Sequence, residues 1–171
     1  MENDSAMFLN LIGRDRPQAV AWVRGNATNP RLGGIVRFYA VPFGGIVVNA
    51  EIFGLPDNAA AAGANGRSMG SSRFYAMHIH ENGDCRLPFD RSGNHYNPSG
   101  AMHPQHAGDL PPLLSNNGYA WLAFYDGRLS VEEILNRSVV IHAGRDDFTS
   151  QPAGDSGDKI GCGVIEAAAY S

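Results

Sequence analysis

Five of the six histidines of this chain lie between residues 78 and 106. His78 and His80 are two residues apart in a β-rich run, so both imidazoles should point to one face of a strand. His103, His106 and Asp109 recur every third residue in a loop with Pro and Gly, a spacing that can present two nitrogens and a carboxylate to one ion. Clustered imidazoles repel when charged and gain stability by sharing a metal, so the pattern predicts metal binding.

Two further histidines can complete two coordination spheres. His95 lies between the clusters, and His142 ends a later β-rich run. Parts of the pattern have plainer interpretations. His78 and His80 could form a surface pair on a strand, His142 alone could be an ordinary residue at a strand end, and Asp109 alone is typical of a turn. The joint pattern favours metal sites.

The composition predicts an all-β domain to carry these residues. A chain of 171 residues is long enough for one domain with a real core. Charged residues make up only 18%, whereas Gly (21) and Pro (10) are plentiful, which favours short strands joined by turns. The formal charge of −4 gives no basic stripe, so a nucleic-acid partner is not expected.

Periodicity and turn residues predict seven strands. They lie at 18–24, 35–41, 46–53, 74–80, 119–124, 139–142 and 160–167. The stretch 81–114 has little periodicity, and a loop of that length usually carries function. Residues 56–72 are interpreted as a mobile loop with no assigned function. Ser130 and Glu133 fit a capping box, which predicts a short helical turn.

The two ends of the chain and its cysteines leave several options open. Residues 1–17 are interpreted as an N-terminal extension and 18–171 as the domain. The N-terminus lacks a basic region, and its apolar patch is interrupted by Asn10, so no export signal is predicted. The chain as written would be cytoplasmic, or extracellular or at the cell surface if a leader was removed. No run is long enough to span a membrane.

Cys85 and Cys162 are compatible with a disulfide, a metal contact or two inert thiols.

Five segments resemble the copper-zinc superoxide dismutase family of the bacterial type. They are HIHENGDC at 78–85, GNHYNP at 93–98, HAGDL at 106–110, VIH at 140–142 and GCGVI at 161–165. Their order and spacing match the family from residue 18 to residue 167. With the strand pattern, the resemblance implies a Greek-key β-sandwich or flattened barrel, immunoglobulin-like, with long metal-binding loops. It also implies an enzyme that disproportionates superoxide to dioxygen and hydrogen peroxide by cycling Cu(II) and Cu(I).

The resemblance implies a set of residues for each cofactor, copper and zinc. The implied copper ligands are His78, His80, His95 and His142. The implied zinc ligands are His95, His103, His106 and Asp109, with His95 as the shared, bridging imidazolate. Four imidazoles suit copper, and three with one carboxylate suit a closed zinc site.

Three further roles are implied by the same resemblance. Asp146 matches the carboxylate outside the coordination spheres that links His78 to His103; its alternative is an ordinary loop residue. Cys85 and Cys162 match the cysteines that form the disulfide within the subunit. His95 would have a catalytic role as well, since it takes a proton when it leaves the reduced copper.

One position departs from the family pattern. Lys159 stands three residues before Cys162, where the family usually has an arginine beside copper. A guanidinium is a planar fork of donors, whereas an ammonium is a flexible, strongly hydrated point charge. Lys159 is therefore expected to attract superoxide but to orient it less well. A solvated surface lysine is the alternative.

Two other functions fit part of the pattern. One is a non-enzymatic copper- and zinc-binding structural or surface protein of the same fold, against which the intact copper ligands count. The other is a zinc hydrolase, which needs three protein ligands, an open water position and a nearby base, whereas four zinc ligands are predicted. Superoxide is the expected partner, with no nucleic acid and no membrane, and a homodimer is left open.

Overall fold

The structure, a computed structural model, describes residues 4–56, 61–62, 68–69 and 73–169. Most of its elements are strands. In chain order they are β1 (Ala19–Gly25), β2 (Gly33–Ala40), β3 (Ile46–Phe53), β4 (Ala61–Ala62), β5 (Ser68–Met69), β6 (Phe74–Tyr75), β7 (Met77–His80), β8 (Leu113–Leu114), β9 (Ala120–Asp126), β10 (Ser138–His142) and β11 (Lys159–Ala167). The two α-helices in these ranges are α1 (Asp4–Arg14) and α2 (Val131–Ile134). The predicted all-β class is confirmed.

Seven of these strands form one curled antiparallel sheet in the order β7-β10-β11-β1-β2-β3-β9. β1, β2 and β3 follow one another as hairpins, whereas β11 returns from the end of the chain to pair with β1. β10 then lies between β11 and β7. The sheet curls into a half-barrel, consistent with the predicted Greek-key arrangement. Beside it, β6 pairs with β8.

The two faces of the sheet follow the side-chain period of two. In β1 the alternate residues are buried, whereas Trp22 between them is 62% exposed. In β7, Met77 and Ile79 join the main apolar core. His78 and His80 therefore lie on the opposite face of that strand, away from the core. The core thus fixes β7 in the register that presents both imidazoles to the loops.

The predicted strands are found with small shifts at their ends. The predicted strand 46–53 has the same bounds as β3. The predicted strand 74–80 is divided at Ala76, which separates β6 from β7. Ala76 donates its N–H to the carbonyl of Gly144 and accepts from the N–H of His142. The stretch 81–114 contains only the 3₁₀ turn Asp90–Ser92 and β8. The predicted loop at 56–72 lies largely outside the described residues, which include only Pro56, β4 and β5 from it.

The helices show one confirmed prediction and one feature that the sequence analysis missed. α2 begins after Ser130, whose Oγ accepts the N–H of Glu133 at 3.4 Å. α1 was not predicted, although Met7, Phe8, Leu11 and Ile12 have helical spacing. These residues pack against Tyr39, Val41 and Val47, on the side of the sheet away from the main core. Neither described helix is long and apolar enough to cross a membrane. The division at residue 17 stays a prediction.

A disulfide ties the metal-ligand loop to the last strand. Cys85 follows β7 and Cys162 lies in β11, and the two cysteines are bonded across 77 residues of sequence. In the chain-entropy model, closing a loop of that length stabilises a fold by about 4.5 kcal/mol. The disulfide option is therefore the one that the structure adopts.

Candidate metal centre

Two adjacent strands bring the first three histidines together. His78 and His80 lie on β7, which pairs with β10 through Val140↔His78 and Ser138↔His80. β10 ends at His142, so its imidazole lies at the edge of the same two strands. His78, His80 and His142 are 0%, 2% and 3% exposed. The strands thus bury three imidazoles side by side.

The long loop after β7 folds back along that strand and supplies the other ligands. The N–H of Ile79 donates to the carbonyl of Gly108, and the N–H of Tyr96 donates to the carbonyl of Ile79. A Cβ at Gly108 would lie 2.3 Å from the oxygen of Ile79, so this contact needs glycine. Through it the loop carries His95 and Asp109 to the edge of β7, where they form bridges with His80 and His78 respectively.

The first candidate group consists of four histidines whose ligand atoms lie within 4.8 Å of one another: His78, His80, His95 and His142. In three of these rings, one nitrogen is hydrogen-bonded to an oxygen of a residue outside the group. The bonds join His78 Nε2 to Asp146 at 2.9 Å, His80 Nδ1 to the Gly93 carbonyl at 2.9 Å, and His142 Nδ1 to the Gly157 carbonyl at 3.1 Å. Such bonds fix the ring orientation and leave the other nitrogen for a metal. Indeed, the Nε2 atoms of His80 and His142 lie 3.3 Å apart.

The second candidate group combines three imidazoles with a carboxylate, again within 4.8 Å: His95, His103, His106 and Asp109. Asp109 lies 2.7 Å from His95 Nδ1, 3.0 Å from His103 Nδ1 and 3.3 Å from His106 Nδ1. His103 Nε2 is held by Asp146 at 2.9 Å. His95 belongs to both groups, so its two ring nitrogens can serve two ions.

Unsatisfied buried nitrogens show that both groups fit metal ions. His78 Nδ1, His95 Nε2, His103 Nδ1 and His106 Nδ1 are buried and make no hydrogen bond, because Asp109 lies near the last two without hydrogen-bond geometry. Buried polar atoms are normally satisfied, because leaving one unpaired costs free energy. In His78 and His103 the unpaired atom is the nitrogen left over after Asp146 has bonded to Nε2 of the same ring. Four imidazoles suit copper, and three with one carboxylate suit zinc.

Burial keeps these ligands in the protonation states that metals require. It lowers the pKa values of His78 and His80 and brings that of His142 down to about 3. The three imidazoles are therefore neutral at pH 7, as metal ligands must be. Burial opposes ionisation of Asp109 and Asp146, but hydrogen bonds from histidines outweigh it and hold both pKa values below the usual value. Both carboxylates are ionised at pH 7.

Lys159 lies beside the four-histidine group, at the start of β11. Its Nζ donates to Ser92 Oγ at 2.8 Å and to the Gly93 carbonyl at 2.9 Å, the same carbonyl that holds His80. Ser92, fully buried, donates to the Phe89 carbonyl at 2.7 Å. Sequence reasoning missed Ser92, because no local pattern marks it. Lys159 also lines an open cavity of about 970 Å³, together with His80, His95, His106 and His142.

Comparison with known families identifies the chain. Residues 33–165 match the model of the family described as copper/zinc superoxide dismutase (SODC). The chain belongs to this family. The resemblance inferred from the sequence is thereby confirmed. The family uses copper and zinc, and the two donor groups fit these ions.

Relatives within the family include enzymes and copper chaperones. The chain is 36% identical over 116 residues to a Cu-Zn superoxide dismutase of Deinococcus radiodurans (54% of this chain, 63% of that protein). It is 32% identical over 137 residues to a Cu-Zn superoxide dismutase of Aquifex aeolicus (71% and 72%). It is 34% identical over 109 residues to the human copper chaperone for superoxide dismutase (56% and 40%). The chain thus spans less than two thirds of some of these relatives.

A solved structure shares the fold over nearly the whole chain. The crystal structure titled clock protein EA4 superposes with a TM-score of 0.70 at 26% sequence identity. The match covers 89% of this chain and 96% of that one. The fold is therefore shared with an experimentally determined structure.

Asp146 belongs to neither group and links them from outside, through contacts with His78 Nε2 and His103 Nε2. We expect Asp146→Asn to weaken zinc binding about ten- to a hundredfold, the usual cost of losing a residue that hydrogen-bonds to a metal ligand. Copper binding should change less. An amide cannot accept from both imidazoles, because one of its two polar atoms is a donor.

Titration of both metals against chelators of known affinity checks this expectation. Asp158→Asn makes the same chemical change at an exposed position and should leave both affinities as they are. If Asp146→Asn also leaves both affinities unchanged, Asp146 is an ordinary loop residue.

Proposed function

We propose that the protein is a copper- and zinc-dependent superoxide dismutase, which converts two superoxide ions and two protons to dioxygen and hydrogen peroxide. The observation that carries the proposal is the complete four-histidine group in addition to the group with Asp109. A zinc hydrolase has no use for a second site of four imidazoles. Copper, when bound, supplies one-electron redox chemistry, whereas zinc has no redox chemistry of its own.

The burial of the four histidines favours an enzyme over a copper chaperone. A protein that passes copper to a partner must expose its ligands during transfer. Here the four are between 0% and 6% exposed, and three of the rings are fixed by hydrogen bonds to outer oxygens. Rigid, enclosed ligands suit a metal that stays in place through many turnovers.

His78, His80, His95 and His142 would hold copper; His95, His103, His106 and Asp109 would hold zinc. His95 would also act in catalysis. Its Nδ1 lies 2.7 Å from Asp109, its Nε2 has no hydrogen-bond partner and the ring lines the cavity, so Nε2 can receive a proton and pass it to the product. Asp109 and zinc would hold the Nδ1 side of the ring in place meanwhile. Lys159 would attract superoxide into the cavity.

One purified sample tests the proposed function. After reconstitution with both metals, we expect about one copper and one zinc per chain and rapid, copper-dependent superoxide consumption. Elemental analysis and a superoxide assay on the same sample provide the measurement. Full metal loading without consumption would favour the non-enzymatic metal-binding protein or a copper carrier. Zinc in both sites despite available copper would contradict the division of ligands.

A further inference from the structure

A side-chain amide far along the chain is bonded to the backbone of one candidate zinc ligand. Gln151 Nε2 donates to the carbonyl of His103 at 2.7 Å, and the N–H of His103 donates to Gln151 Oε1 at 3.0 Å. Both backbone polar groups of His103 are therefore bonded to one side chain. Two hydrogen bonds from one side chain fix both the position and the orientation of the His103 backbone, as pairing with a neighbouring strand would.

The same segment also holds the imidazole of His103. Asp146 Oδ1 lies 2.9 Å from His103 Nε2. Gly154 packs against this pair, since a Cβ there would lie 1.9 Å from Asp146 Oδ1 and 2.8 Å from His103 Nε2. The segment is internally bonded as well, with the N–H of Asp147 donating to the carbonyl of Gly154 at 2.9 Å. His103 is thus held by its ring and by its backbone, in both cases from residues 146–154.

This segment is at the same time one wall of the cavity above the four-histidine group. The part of the wall that it supplies is Ser150, Gln151, Pro152 and Ala153. Gln151, which bonds to the backbone of His103, is therefore also a lining residue of this cavity. We propose that Gln151 is a positioning residue that couples the zinc site to this cavity wall. The inference rests on the proposed zinc ligands and is independent of superoxide turnover.

Thermodynamic coupling makes the effect reciprocal. If Gln151 orders His103 for zinc, bound zinc must in turn order residues 147–154. Gln151→Met keeps the length of the side chain and deletes both hydrogen bonds. We expect it to weaken zinc binding about tenfold, the lower end of the range for lost outer partners, because Gln151 contacts the backbone of the ligand and not its ring. Copper affinity should change less than twofold.

A matched control lies in the same loop as the ligand. Gln105 is exposed and two residues from His103, so Gln105→Met makes the same chemical change without touching the contact with His103. Zinc affinity is measured by competition with a chromophoric chelator, and thermal unfolding of the metal-free proteins shows whether the variants fold. In the parent and in Gln105→Met, zinc should slow amide hydrogen exchange across 147–154. In Gln151→Met most of this protection should be lost.

Two results would overturn the proposal. One is a Gln151→Met protein whose zinc affinity and zinc-dependent protection both equal those of the parent. The other is a fall in zinc affinity with full protection retained, since Gln151 would then support His103 without coupling it to the cavity wall. Neither readout uses superoxide, so an inactive protein that still showed the coupling would count against the proposed function alone.

Discussion

Replacing His80 with alanine is expected to remove copper and superoxide consumption while zinc stays bound. His80 Nε2 belongs to the four-histidine group alone, 3.3 Å from His142 Nε2. Losing it opens one side of the proposed copper site and leaves three imidazoles to bind the ion. Loss of a direct ligand should cost more copper affinity than the ten- to hundredfold that loss of an outer partner costs. The activity should fall by a comparable or larger factor at limiting copper.

The matched control is a histidine of the other group. His106 is found only in the group with Asp109, so His106→Ala should lose zinc before copper. Both metals are measured by elemental analysis after dialysis against a weak chelator, and superoxide consumption is recorded on the same samples. If the His80 variant lost zinc first, the assignment of ligands to the two metals would be wrong.

The sequence predicted those parts of the protein that depend on local periodicity. Met77 and Ile79 are apolar and alternate with His78 and His80, so the period of two already indicated that both imidazoles leave the core. The spacing of His103, His106 and Asp109 is likewise local, and the structure brings all three into one group. Short-range pattern was therefore sufficient for the strands and for the two local clusters, whereas the places of His95 and His142 were implied by the family resemblance.

The family resemblance supplied some contacts between distant segments, such as the disulfide and the link through Asp146, but two others could not be predicted from the sequence. Ser92 meets Lys159 across 67 residues, and Gln151 meets His103 across 48. Serine and glutamine are common loop residues, so nothing in their surroundings marks them as partners of a ligand or of a cation. α1 was missed for a different reason. Its apolar face is short, and only the docking of Leu11 against the sheet shows what covers it.

The environment of Lys159 explains how an ammonium can stand where the family usually has a guanidinium. An ammonium has three N–H donors, and two of them bond to Ser92 and Gly93. One donor remains for an anion in the cavity. The two bonds restrain a side chain that would otherwise be flexible, and burial lowers the pKa of Lys159 despite the opposing charges of Asp90 and Glu81.

Charge at residue 159 is expected to control the rate of superoxide consumption. Focusing of anions by a charged cleft raises association rates about ten- to a thousandfold, and this enzyme family is itself a known example. Lys159→Glu should therefore slow catalysis most and Lys159→Met less. Lys159→Arg should preserve or raise the rate, because a guanidinium has five donors and can bond to the same oxygens while offering more to superoxide.

Ionic strength separates guidance by charge from other effects. Salt screens the attraction, so the rate of the parent should fall between low and high ionic strength, and that of Lys159→Met should fall less. Arg24→Glu makes the same change in net charge as Lys159→Glu at an exposed position on β1, outside the cavity, and controls for the charge of the whole molecule. Copper occupancy is checked in every variant, because Lys159 shares the Gly93 carbonyl with His80. A Glu variant with the rate and the salt dependence of the parent would show that Lys159 has no guiding role.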